Sequence, residues 1–153
     1  MKLGDVLRKE REKREVPAAD MAAHLGMSEE EYAAIEAGES PAETWGPRLA
    51  QIAIELETPT SRLLAESGRS ADAEPGQAGR LIRGHRERRE KTAAEVAEAL
   101  GLSGEEYGRI EAGDSPIETW GPRLLAFAER IEQPVFNLFY PCGLPFQELD
   151  DYP

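Results

Sequence analysis

Apolar side chains recur at three- and four-residue intervals along most of the chain, broken at regular distances by glycine and proline, and this spacing predicts a series of short helices. Leu3, Val6 and Leu7 mark a first helix over Leu3 to Arg14, with Arg8, Lys9, Arg11, Lys13 and Arg14 toward the end where cations suit the helix dipole. Pro17 fits the first turn of a second, whose stripe of Met21, Ala22 and Leu25 stops at Gly26. Ser28-Glu29-Glu30-Glu31 has the form of a capping box, so a third helix starts there, turns Tyr32 and Ile35 inward and ends at Gly38. A second such box, Ser40-Pro41-Ala42-Glu43, opens a turn. Because proline is excluded from helix interiors, Pro47 sets the expected start of a fourth helix between Thr44 and Pro47, and its stripe is Leu49, Ile52, Ala53 and Leu56. Thr58-Pro59 opens a short fifth helix ending near Leu64.

The pattern then repeats. Tyr32 to Leu49, YAAIEAGESPAETWGPRL, returns 75 residues later as YGRIEAGDSPIETWGPRL, Tyr107 to Leu124, with Ile35 to Gly38 and Glu43 to Leu49 identical between the copies. Leu81 and Ile82 match Val6 and Leu7, Thr92-Ala93-Ala94-Glu95 is a capping box, and Leu100-Gly101-Leu102-Ser103 matches Leu25-Gly26-Met27-Ser28. A gap-free repeat of this strength means two copies of one folding unit. The expected division is a first domain over residues 1–65, a linker over 66–77, a second domain over 78–140 and a tail over 141–153. The linker lacks an apolar period and is rich in Gly, Ser, Asp and Pro. From Phe139 onward the prolines forbid a regular element, yet Phe139, Tyr140, Leu144, Phe146, Leu149 and Tyr152 are too apolar for a free tail. The repeat is expected to stop where this aromatic segment begins, leaving it either as added core or as a docking segment for a partner.

Charge narrows the function. The 153 residues hold 30 acidic and 18 basic side chains, a formal net charge of -12 that is spread over both halves. Such a polyanion repels nucleic acid and anionic membranes and favours basic protein surfaces. No apolar run suggests a signal core or a membrane span, and the single cysteine, Cys142, allows no internal disulfide, so a cytoplasmic protein is expected. His24 and His85 do not correspond between copies, and no His, Cys or carboxylate set has metal-ligand spacing, so neither an enzyme, a metal, a cofactor nor a small-molecule substrate is expected. Trp45 and Trp120 are read as core or inter-repeat anchors.

Five short helices, with Gly26 between the second and third, Ile-Glu-x-Gly closing the third and a Leu-Ala stripe in the fourth, resemble the phage-repressor-like helix-turn-helix family, the XRE or Cro/CI type. The resemblance covers residues 3–65 and 78–140. It implies an all-α protein of two tandem five-helix lambda-repressor-like domains plus an irregular aromatic tail. It also implies a structural ion pair between helix one and the end of helix three, here Arg11 with Glu36 and Arg86 with Glu111. A bidentate guanidinium and carboxylate can tie two helices in this way when both are well hydrogen-bonded.

In that family the first turn of helix three reads base edges in the major groove. Here those positions are Glu29, Glu30 and Glu31 in the first copy and Gly104, Glu105 and Glu106 in the second. Where the family often has a polar phosphate contact near the start of helix two, this chain has Ala18 and Ala93, and the loops after helix three are acidic. Phosphate contacts supply most non-specific DNA affinity, so DNA is disfavoured, although a regulator of the XRE type that binds it remains the alternative. The expected partner is a protein with a basic surface, bound by Glu29, Glu30 and Ala33 in one copy and Glu105, Gly108 and Arg109 in the other. Small residues framed by carboxylates allow close backbone approach and can receive Lys or Arg.

Overall fold

A computed structural model describes residues 2–58, 60–64, 74–132 and 138–139. It is all-helical over these residues: α1 Leu3–Lys13, α2 Ala18–His24, α3 Glu29–Glu36, α4 Ala42–Glu55, α5 Thr60–Leu63, α6 Gln77–Arg88, α7 Ala93–Leu100, α8 Gly104–Glu111 and α9 Ile117–Ile131. Helices α6 to α9 repeat α1 to α4. The capping boxes at Ser28, Thr92 and Ser103 form with both hydrogen bonds present, which fixes the starts of α3, α7 and α8. Gln77, placed in the linker by its sequence context, instead opens α6. Most of the counterpart of α5 in the second copy, up to residue 137, and the tail from Tyr140 to Pro153 lie outside the described residues. Among the described residues no helix is long and apolar enough to cross a membrane.

The fourth helix of each copy begins earlier than Pro47 allows in the simplest reading. α4 starts at Ala42 and α9 at Ile117, with Pro47 and Pro122 inside them. Proline near a helix start frees few carbonyls, and Gly46 and Gly121 precede the prolines without a Cβ to strike the pyrrolidine ring, so the helical conformation survives. The box expected at Ser40 does not form. Ser40 Oγ accepts the amide of Ala42 at 3.1 Å, and Glu43 turns away to the first helix.

α1 and α3 cross at Gly4, where a Cβ would run into the carbonyl oxygens of Ile35 and Glu36; Gly79 meets Ile110 and Glu111 in the same way. Glycine is required there by the approach of two backbones. The equivalence of the copies extends to backbone that side chains rarely adopt, because Glu15 and Glu90, and Glu57 and Glu132, all have positive φ.

The cores do not follow the order of the chain. One is built from Leu3, Leu7, Met21, Leu25, Tyr32 and Ile35 of the first copy together with Leu124, Phe127 and Ile131 of α9, from the second. The other takes Ile82, Val96, Tyr107 and Ile110 of the second copy together with Leu49, Ile52, Ala53 and Leu56 of α4, from the first. α4 therefore packs on α7, α9 packs on α2, and the two exchanged helices pack on each other. The start of each helix stays at home: Ala42 lies in the first copy's core and Ile117 in the second's. Each copy completes its core with the other's long helix, so the chain is one body with reciprocal cores.

The exchange continues past the long helices. Leu63 and Leu64 enter the second copy's core, while Leu138 and Phe139, 75 residues on, enter the first copy's. Phe139 was expected to stand beyond the repeat; instead it is the counterpart of Leu64 and equally buried.

Candidate recognition helices

α3 and α8 present the faces that the apolar period predicts. Tyr32 and Ile35, and Tyr107 and Ile110, are buried, while Glu29, Glu30, Glu31 and Ala33 in one copy and Gly104, Glu105, Gly108 and Arg109 in the other are exposed. The first turns are acidic as built, with three glutamates at the start of α3 and two at the start of α8. Arg109 is the cation on the α8 face, and it is paired with Glu105 at 3.0 Å. Glu31 and Glu106 serve as caps. The amides of Ser28 and Ser103 donate to their carboxylates, which is the main reason both titrate below the usual range.

The two ion pairs hold these helices in place. Arg11 Nε donates to Glu36 Oε2 at 2.7 Å and its Nη2 to Oε1 at 3.1 Å, while Nη1 donates to the carbonyl of Val16 at 2.9 Å. Arg86 repeats the arrangement on Glu111 at 2.6 and 3.0 Å and on the carbonyl of Lys91 at 2.8 Å. One guanidinium thus fastens the first helix of each copy to the end of the third and to the turn that follows the first. For Glu111 burial alone would raise the pKa, but Arg86, hydrogen-bonded to it, and the nearby Tyr107 hydroxyl together outweigh burial and hold the carboxyl below its usual range. The hydroxyls of Tyr32 and Tyr107 are buried beside these carboxylates without a partner in hydrogen-bond geometry among the described residues. Burial first, and the neighbouring carboxylate second, push both phenols well above their ordinary value.

Sequence reasoning missed the role of the identical Glu-Thr-Trp-Gly-Pro-Arg-Leu. Glu43 accepts the amides of Leu3 at 3.1 Å and Gly4 at 2.6 Å, and Glu118 accepts those of Ala78 and Gly79 at 3.2 and 2.8 Å. A carboxylate 40 residues away thereby caps the first helix of each copy. Arg48 stacks on Trp45 at 4.6 Å and Arg123 on Trp120 at 4.8 Å. Arg123 also lies near enough to Glu31 of the first copy, and Arg48 to Glu106 of the second, to help lower their pKa values. The signal was the identity of the motif between copies, but nothing in it says which copy each side chain faces.

Polar contacts between the copies finish the exchange. Lys91 Nζ donates to the carbonyl of Glu55 at 2.6 Å, near the end of α4, and His24 Nε2 sits 3.1 Å from the carbonyl of Ala126 in α9. Their counterparts in the repeat, Val16 and Ala99, have no such side chains, so these contacts are copy-specific. Cys142 lies outside the described residues.

Residues 77–131, the span from the first residue of α6 to the last of α9, match a family model described as a helix-turn-helix domain. Comparisons with curated proteins and with solved structures gave no match.

Proposed function

We propose, from a helix-turn-helix domain at residues 77–131, that this chain is a non-catalytic regulator with two recognition helices, α8 in that domain and α3 in a second unit of the same kind made by the first copy. The family match carries the reading. For a domain of this class the expected target is duplex DNA, met by the first turn of the recognition helix, and DNA is accordingly the first target to test.

A specific observation favours a second target. Both recognition helices begin with exposed carboxylates, Arg109 is engaged by Glu105, and the net charge is -12. A basic protein surface suits such faces better than phosphate does, with Glu29, Glu30 and Ala33 on one side and Glu105, Gly108 and Arg109 on the other.

Fluorescence anisotropy with genomic and random duplexes, at low and physiological salt, separates the two. The DNA reading requires a sequence-specific complex that survives physiological salt and changes its sequence preference on Arg109→Ala. Weak, salt-labile binding to every duplex removes that reading. The protein reading then requires recovery of a basic partner from the native cell, weakened by Glu29→Gln and Glu30→Gln together.

A further inference from the structure

We propose that the repeated Glu-Thr-Trp-Gly-Pro-Arg-Leu is a crossover clamp that joins the two copies into one cooperative unit, so that neither recognition helix can loosen without the other. The motif lies where each long helix leaves its own copy for the other, and most of its residues act at that handover. Glu43 and Glu118 pin the start of the helix to its own copy through the amides of Leu3 and Gly4, and of Ala78 and Gly79. Leu49 and Leu124, which close the motif, are buried in the opposite copy's core.

The glycines between them are sites of close approach. A Cβ on Gly46 would stand 2.9 Å from Phe139 Cε1 and 3.2 Å from Leu124 Cδ1, both from the second copy, and 2.8 Å from Leu3 Cδ2. A Cβ on Gly121 would stand 2.6 Å from Leu64 Cδ1 of the first copy. Real Cβ atoms do not come within 3.0 Å of such neighbours, so the missing side chains leave room that Phe139 and Leu64 of the opposite copy fill. Arg48 and Arg123 stack on the motif's tryptophans, and their charge is felt by the capping glutamates of α8 and α3 across the copies.

Cooperativity follows from the connectivity. Lifting α9 strips Leu124, Phe127 and Ile131 from the first copy's core, and it also removes the surface on which α4 rests while α4 completes the second core. Each core holds the other's missing helix, so local opening of one propagates to both.

Native-state hydrogen exchange on the intact chain, followed by mass spectrometry, tests this with Leu124→Ala and the milder Leu124→Val. The expected result is faster exchange in α1 to α3 and in α6 to α8 by the same factor, at least about tenfold for Leu124→Ala and smaller for Leu124→Val. Faster exchange in α6 to α8 alone would mean that α9 serves its own copy and would overturn the crossover. Faster exchange in α1 to α3 alone would mean that the two cores open separately and would overturn the clamp. If Leu124→Ala does not fold, Leu124→Val decides among the same outcomes.

Discussion

Phe139 stands in the second copy where Leu64 stands in the first: both are fully buried, and each lies against the crossover glycine of the opposite copy, Phe139 on Gly46 and Leu64 on Gly121. The aromatic ring at residue 139 therefore belongs to the core around Tyr32 and Ile35, over a hundred positions earlier in the chain. Phe139→Ala should cost about 3 to 5 kcal/mol, the usual range for truncating a buried Phe. Urea denaturation of the full chain measures it. A midpoint that does not move would mean that residue 139 is not in the core.

Arg86→Met should destabilise the protein by about 3 to 5 kcal/mol, because it leaves the carboxylate of Glu111 partly buried without its bidentate partner. Arg11→Met should act alike through Glu36. Adding Glu111→Gln to Arg86→Met should restore part of the loss, since the uncompensated charge is then gone. Thermal melts of the single and double variants check the pair, and an unchanged melting temperature in Arg86→Met would contradict the tie between α6 and α8.

Stability should fall at both ends of the pH scale for different reasons. Glu111 titrates below its ordinary range in the folded chain, so its contribution is present above the unfolded carboxyl value of about 4.3 and is lost as pH falls through the folded value. Tyr32 and Tyr107 titrate above theirs, so stability is intact below the unfolded phenol value of about 10 and is lost as pH rises past it. Tyr107→Phe should weaken the alkaline limb, leaving the part due to Tyr32, and should move the acid limb toward higher pH, because the Tyr107 hydroxyl helps to hold Glu111 low. Melting temperature as a function of pH for the parent and Tyr107→Phe is the measurement.

The sequence carried the helices and their inward faces, because capping boxes, glycine stops and the i, i+3, i+4 stripe are local signals. The bidentate pairs of Arg11 with Glu36 and Arg86 with Glu111 were implied by the family resemblance rather than by any local signal. The sequence could not carry the exchange of α4 and α9. Leu49, Ile52, Ala53 and Leu56 form the same apolar stripe whichever core they fill, and the two cores present nearly the same residues to it. Pro47 misplaced the start of α4 because the rule against helix prolines ignores the glycine before it. Glu43 fitted a local box at Ser40, while its observed partners, Leu3 and Gly4, lie 40 and 39 residues away. For the recognition faces, exposure was legible from the period, but the target was not, since exposed charge describes what a surface suits and not what it meets.

The exchange of the long helices is most directly tested by nuclear Overhauser contacts from the Phe127 ring in the dilute, monomeric chain. Phe127 lines a small void in the first copy's core together with Leu7, Leu25, Tyr32 and Leu124. Reciprocal cores predict cross-peaks from the Phe127 ring to the methyl groups of Leu7 and Leu25. Cross-peaks to Ile82, Val96 and Ile110 instead would place α9 in its own copy and contradict the account.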